Sequence, residues 1–345
     1  MQFLPEHLDG LFEVPCPDDS KYTRGVVGLI TGTDEYPGAG VLSVSAAASC
    51  GIGYVRYNGP AAAVNALLIT HPEVVFTACA ENHVDAWVVG SGFSGIYDNG
   101  DCRSDEIRQI LTSKDDELHK NVPYVVVDAG ALETYAVMAM NGELDADQRA
   151  RCVLTPHTGE AERLCTVLGL DMSRDYIESH REVSATVIAH KLGCTVVLKG
   201  SPTIVASHDG TAYELPPATH WLATAGTGDL LAGIMGATIA SNASRLREGK
   251  VNLARVAAAA VCVHSYAAGL SAFDMTSMEE WLGDSPDNVS SDSHLYGHQI
   301  GLLDMTSAIS AAQVDFRNWK DRNTRTAENS QEPDVNASES GGADF

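Results

Sequence analysis

Basic residues are scarce in this chain: 22 Lys and Arg stand against 46 Asp and Glu, a formal net charge of −24 over 345 residues. The few cations are scattered singly along the sequence. A nucleic-acid backbone or an anionic lipid surface would therefore be repelled, which excludes nucleic acid and membrane surfaces as partners. The opening MQFLPEHLDGLFEVPCPDD is acidic and broken by prolines, without the basic start and apolar run of a secretion signal, so a cytoplasmic location is expected. Eight cysteines (Cys16, Cys50, Cys79, Cys102, Cys152, Cys165, Cys194 and Cys262) include no CxxC pair, a pattern of buried reduced thiols rather than of disulfides or a metal cluster. The stretch that could be mistaken for a membrane helix, Trp221 to Ala240, carries Asp229 at its centre, where a charge costs about 3 kcal/mol on insertion scales. No internal repeat is present.

Common catalytic signatures are also missing. Gly249-Lys250 is followed by Val251 rather than Ser or Thr, so there is no P-loop. Gly90, Gly92 and Gly95 satisfy GxGxxG after a strand, but Asp98-Asn-Gly-Asp101 follows where a helix should run, which argues against a dinucleotide fold. Neither HExxH, GxSxG nor a spaced His/Cys cluster occurs, leaving zinc hydrolysis and serine esterase chemistry without support.

What the sequence does contain is enough apolar material, 44% against 20% charged, for a sizeable core. The apolar residues come in short continuous runs: Val26 to Gly32, Ala86 to Gly92, Tyr124 to Gly130, Cys152 to His157 and Thr195 to Gly200. Such runs, separated by helix-length segments, predict parallel strands covered on both faces. The fold class is therefore α/β, a doubly wound and mainly parallel sheet. A hairpin is predicted around Asp209-Gly210, buried helices over Asp229 to Ala240 and Leu253 to Leu270, and a further helix over Gly301 to Gln313. Residues 1–20 read as an N-terminal extension and 21–318 as one catalytic domain. Six acids within 274–293, with no Lys or Arg, mark an acidic insertion over about 274–297, and the polar, acidic tail 319–345 is expected to be disordered.

In doubly wound sheets ligands gather at the carboxyl ends of the strands, and the polar oddities of this sequence sit there: Gly32-Thr33, Gly90-Ser91-Gly92, Asp128, Thr155-Pro156-His157 and Lys199-Gly200. In Ala225-Gly-Thr-Gly-Asp229 two glycines bracket Thr227 just before a helix, so Gly226, Thr227 and Gly228 can turn free N–H groups and the helix dipole toward an anion. Asp229 reads alone as an N-cap slightly more readily than as a base. Lys199-Gly200-Ser201-Pro202-Thr203 offers a cation, a flexible backbone and two hydroxyls, suited to a nucleotide phosphate or to an ordinary turn. His157 and Glu160 read equally as a capped helix start or as polar groups held at a site.

The ordered set GLITGTDEYPGAGVLSVSAAASCGIGYVRY, VVDAGAL, VLTPHTGEAERL, VVLKGSPTIVASHDG and WLATAGTGDLLAGI closely resembles the ADP-dependent (S)-NAD(P)H-hydrate dehydratases of the ribokinase-like superfamily, over Gly25 to Leu270. The resemblance implies an enzyme, a hydro-lyase, that repairs nicotinamide nucleotides. It phosphorylates the hydroxyl of the S epimer of NADHX or NADPHX from ADP and eliminates phosphate, restoring NADH or NADPH and leaving AMP. Carried over by motif, Asp229 is the catalytic base and contacts the substrate. Ala39, Gly92 and His157 contact the hydrate, Lys199 to Thr203 and Gly226 to Gly228 bind the nucleotide, and Glu160 holds Mg2+ through water. The resemblance also implies a homo-oligomer, often a tetramer. Many bacterial members carry an N-terminal epimerase domain for which this chain has no room, so a separate NAD(P)HX epimerase is the expected partner. This sequence has Gly90-Ser91-Gly92 where many members have Gly-Pro-Gly. The rivals are an ATP-dependent ribokinase-like kinase of a vitamin-precursor alcohol and a non-catalytic nucleotide sensor.

Overall fold

A computed structural model describes residues 1–76, 83–94, 103–114, 122–273 and 297–329. Gly95, Asp98, Asp101, Cys79 and Cys102, the acidic stretch 274–296 and residues 330–345 lie outside the described residues.

The chain begins with β1 (Val26–Ile30), α1 (Pro37–Ser49), β2 (Tyr54–Asn58), α2 (Ala61–Thr70), β3 (Val75–Phe76), β4 (Ala86–Val89) and α3 (Arg103–Thr112). It continues through β5 (Tyr124–Val127), α4 (Ala131–Met140), α5 (Ala146–Ala150), β6 (Cys152–Leu154), α6 (Thr158–Val167), α7 (Arg174–Ser179), α8 (Arg181–Leu192) and β7 (Thr195–Leu198). The hairpin β8 (Ile204–Ala206) and β9 (Ala212–Glu214) precedes α9 (Thr227–Ser241), α10 (Ala243–Arg247), α11 (Leu253–Phe273) and α12 (Leu302–Asn329). Among the described residues the strands form one nine-stranded sheet in the order β3-β2-β1-β4-β5-β6-β7-β8-β9. Pairing is parallel from β3 to β7 and antiparallel through β8 and β9.

The strands read as continuous apolar runs because each feeds two cores. Val27, Leu29, Val88, Val126, Val153 and Val197 face α1, α9, α11 and α12, while Val26, Ile30, Val89, Val127, Leu154 and Leu198 lie in the cluster with residues of α3, α4, α6 and α8. Two strands were not legible as runs: β2 alternates buried and half-buried residues, and β3 has two residues. Helix α9 packs closely on α1, because a Cβ at Gly233 would collide with the Ser43 carbonyl. Helix α11, whose length and hydropathy alone would allow it to cross a membrane, has most of that apolar stretch buried in the protein.

At both ends the described chain is built onto the domain. The first twelve residues are strapped onto the domain: Phe3, Leu8, Leu11 and Phe12 are buried in its core, Phe3 N–H donates to the Glu214 carbonyl at 2.8 Å, and Asn242 Nδ2 donates to the Leu11 carbonyl at 3.1 Å. The last described helix runs to Asn329, past the boundary at 319. Its buried residues Met305, Ile309, Ala312 and Phe316 recur at helical spacing, and once that face is packed the helix propagates into a polar sequence. Among the described residues six cysteines are free thiols; four of them are buried, Cys50 is half-buried and Cys16 is exposed.

Candidate active site

The site is built from strand ends and one helix start. At the end of β5, Asp128 is buried and its carboxylate is fully engaged: Oδ1 accepts from Lys199 Nζ at 3.1 Å and from Thr155 Oγ1 at 2.7 Å, and Oδ2 accepts from Ser91 Oγ at 2.8 Å. Burial would raise this carboxyl, but the Lys199 charge and the two hydroxyls outweigh it and hold it below the usual carboxylate range. Lys199, at the end of β7, also lies 3.7 Å from Glu160 Oε2. Burial works against its ammonium, yet Asp128 and Glu160 keep its pKa above the ordinary lysine value. Lys199 thus closes β7 beside a turn and is held between two carboxylates.

Helix α9 delivers the second carboxylate. Its N-cap is Gly226, with φ 98° and no side-chain capping bond, a left-handed conformation that glycine adopts without strain. The helix starts at Thr227, two residues earlier than expected, which places Asp229 third in the first turn. The cap reading of Asp229 is thereby excluded. Burial, with a contribution from Asp128, pushes its carboxyl up to about 7 against the opposing Lys199. By helix geometry the N–H groups of Gly228 and Asp229 have no intrahelical carbonyl. That of Thr227 is taken by the Thr224 carbonyl at 3.3 Å. The Thr227 hydroxyl donates to the carbonyls of Leu222 and Thr224, each at 2.9 Å, so Thr227 shapes the turn and Gly228 and Asp229 supply the donors. A Cβ placed on Gly228 would lie 3.5 Å from Lys199 Nζ, which sets the ammonium beside this turn.

His157 and Glu160 turn out to be both a cap and a site. His157 Nδ1 accepts the N–H groups of Gly159 (3.0 Å) and Glu160 (3.3 Å), and Glu160 Oε2 accepts the His157 N–H at 2.7 Å, a reciprocal capping box for α6. With Nδ1 accepting, the proton of the neutral ring is on Nε2. Partial burial lowers the imidazole below its ordinary value against the opposing Glu160, so at neutral pH the half-exposed Nε2 presents an N–H donor. Among the described residues no three carboxylate, His or Cys side chains converge on a cage for a metal. One carboxylate beside phosphates and waters does suit Mg2+, which keeps much of its hydration.

Gly92 and Ala39 are brought together on the other side. A Cβ on Gly92 (φ 78°) would lie 2.8 Å from Ala39 Cβ and 2.9 Å from Gly32 Cα, and Thr33 Oγ1 donates to the Gly92 carbonyl at 2.9 Å. Ser91, next to Gly92, ties this turn to Asp128. In the loop after β7, Thr203 Oγ1 donates to the Gly200 carbonyl at 2.8 Å and accepts the Gly200 N–H at 3.3 Å, closing Gly200, Ser201 and Pro202 into a turn.

Three supporting residues were not assigned roles from the sequence. Asp128 was visible as a polar strand end, but its link to Lys199 spans 71 positions. Buried His264 on α11 places Nε2 3.0 Å from the Thr227 carbonyl; burial holds its ring down to about 4, so the ring is neutral, and the carbonyl requires the proton on Nε2. Arg181 braces the loop after β7. A solitary His in an Ala/Val helix and an Arg opening a helix were the signals available.

The sequence profile of the NAD(P)H-hydrate dehydratase family matches residues 27–291. The bifunctional NAD(P)H-hydrate repair enzyme Nnr of Mycobacterium tuberculosis is 39% identical over 231 residues, covering 66% of this chain and 43% of that protein. The ADP-dependent (S)-NAD(P)H-hydrate dehydratase of Neisseria meningitidis is 33% identical over 67% of this chain and 74% of its own length. The chain spans about half the length of several of the curated relatives it matches. The crystal structure of an ADP/ATP-dependent NAD(P)H-hydrate dehydratase from Bacillus subtilis, co-crystallised with ATP/Mg2+, superposes with a TM-score of 0.66 at 21% identity, over 91% of this chain and 98% of that one. A ribokinase-like superfamily protein from Enterococcus faecalis superposes with a TM-score of 0.65 at 20% identity, over 91% of this chain and 95% of that one, so the fold is ribokinase-like, as the resemblance implied.

Proposed function

The chain belongs to the NAD(P)H-hydrate dehydratase family, and from that membership we propose that it restores NADH and NADPH from the S epimers of their hydrates, using ADP and releasing AMP and phosphate. The observation that carries the reading is Asp229: a carboxylate in the first turn of α9, making no cap, with its pKa pushed up to about 7. A general base works best with a pKa near the operating pH.

In this reading the hydrate lies against Ala39, Gly92 and His157, whose Nε2–H donates to it. ADP lies along Lys199 to Thr203, with its terminal phosphate at the N–H groups of Gly228 and Asp229. Asp229 takes the proton of the ring hydroxyl as its oxygen bonds to the terminal phosphorus and AMP departs with the broken P–O pair. Lys199 and the helix dipole balance the charge in transfer. The ring-nitrogen lone pair then expels phosphate with the C–O pair, and loss of a proton from the neighbouring carbon restores the double bond. Glu160 would hold Mg2+ through water, where the ion supplies charge neutralisation to the phosphates.

A purified sample given the (S)-hydrate of NADH, ADP and Mg2+ should recover the absorbance of NADH. Absence of recovery with ADP or ATP overturns the proposal, and a stable phosphate ester made from ATP and a vitamin-precursor alcohol would put a kinase in its place. A separate NAD(P)HX epimerase is the proposed partner: this chain should consume a mixture of epimers only in its S fraction until an epimerase is added. A cytoplasmic location, where both cofactors turn over, and a homo-oligomer complete the proposal. Leu68 and Ile69, 51% and 85% exposed on α2, offer apolar surface to a second copy.

A further inference from the structure

Arg181 opens α8 and is only 8% exposed. A buried cation at a helix N-terminus opposes the dipole, so its neighbours must account for it. Nε donates to the Pro202 carbonyl at 2.8 Å, and Nη2 donates to the carbonyls of Lys199 (2.8 Å) and Leu198 (3.1 Å). Nη1 donates to Glu178 Oε2 at 2.6 Å and to Thr158 Oγ1 at 3.4 Å. Glu178 accepts the Thr158 hydroxyl through its other oxygen, and Thr158 follows His157 at the start of α6. One guanidinium therefore touches both ends of the loop after β7 and the turn that carries His157 and Glu160.

We propose that Arg181 is a positioning residue that fixes the Lys199–Thr203 loop against the His157–Glu160 turn and so presets the nucleotide side of the site. The inference rests on the reading of that loop as the AMP-binding side. All three donor nitrogens of Arg181 are already occupied, so it is not a phosphate ligand. Drawing the Leu198, Lys199 and Pro202 carbonyls onto one planar fork fixes the peptide planes between them, and this leaves the Lys199 side chain free to reach Asp128. Gly200 completes the fit, since a Cβ there would run into the Arg181 guanidinium. Lysine keeps the charge but not the fork, and cannot reach the same set of carbonyls. An arginine that only stabilised the fold would lower the melting temperature when replaced and leave ADP affinity unchanged well below it.

The test is calorimetric titration of ADP with Mg2+ into wild type, R181K and E178A at 25 °C, beside thermal melts and turnover at saturating ADP. The expected Kd for ADP rises about tenfold in R181K and about threefold in E178A, as for a charge-assisted network weakened in part, while kcat at saturation stays within about threefold of wild type. If R181K does not fold, E178A, with its half-exposed side chain, carries the test. Wild type that binds no ADP overturns the reading of the loop and this inference with it. Wild type that binds ADP, with the folded variants binding it equally well, overturns the inference alone.

Discussion

The Lys199 ammonium donates to the Asp128 carboxylate at 3.1 Å, and through this pair the ends of β5 and β7 are tied beside the first turn of α9. Asp128 does two things to its surroundings: it holds the cation in place, and its charge helps lift the Asp229 carboxyl to about 7. Replacement of Asp128 by Asn should lower the apparent pKa on the acid limb of kcat/KM below 7 and reduce kcat/KM by about tenfold or more, as Lys199 loses its anchor. A pH–rate profile of D128N with an unmoved acid limb would separate the two residues.

Asp229→Asn should abolish turnover, by about a thousandfold, the usual range for loss of a general base. ADP binding should persist, because the backbone donors remain. Single-turnover kinetics beside a binding titration check both halves.

The same residue predicts a stability difference with a definite sign. The folded-state carboxyl of Asp229 titrates near 7, above its ordinary value of 3.8, so the folded state holds its proton more tightly than the unfolded one. The stability this lends is fully present below about pH 4 and is lost as pH rises through 7. In the ligand-free protein D229N should therefore melt with wild type at pH 4 and above it at pH 8, by a few degrees. Scanning calorimetry across that interval shows whether the gap opens with pH.

His157 has one nitrogen in the helix cap and one facing out, and two substitutions separate them. Asn can still cap α6, so H157N should melt near wild type while KM for the hydrate rises. Gln caps poorly, and H157Q should lose about 1 kcal/mol of stability. Equal behaviour of the two in melts and kinetics would contradict the division of labour.

Gly92 and Gly228 should respond differently to alanine. At Gly92 a methyl would sit 2.8 Å from Ala39 Cβ on a backbone with φ 78°, so G92A should lower the melting temperature as well as hydrate affinity. At Gly228 the nearest neighbour of a methyl is Lys199 Nζ at 3.5 Å, an ordinary contact. G228A should fold normally and weaken ADP binding, as melts and titration would report.

The doubly wound sheet was legible because residues buried on both faces, such as Val126 and Val127, leave an uninterrupted apolar run. Half-exposed β2 and short β3 gave no such run. At the site, the Gly-Thr-Gly-Asp turn announced itself by composition, whereas the partnership of Asp128, Lys199 and Thr155 joins residues far apart in the chain, and no local pattern encodes it. The same holds for His264, a solitary His in an Ala/Val-rich helix, and for Arg181, one of several polar residues of α8. The resemblance to a family brought the scattered motifs to one place; it did not reveal that Thr227 uses its own N–H and hydroxyl to shape the turn.

The strap formed by the first twelve residues has a consequence for synthesis. Phe3, Leu8, Leu11 and Phe12 are made long before the residues they pack with, Tyr213, Asn242 and Phe316, and Arg317 Nε closes onto the Phe12 carbonyl at 2.6 Å. At roughly 5–20 residues per second, Leu11 waits through 231 residues of translation for Asn242 and Phe12 through 305 for Arg317, which is tens of seconds. Over that interval these apolar side chains lack their native partners, and the domain closes only when its late helix arrives.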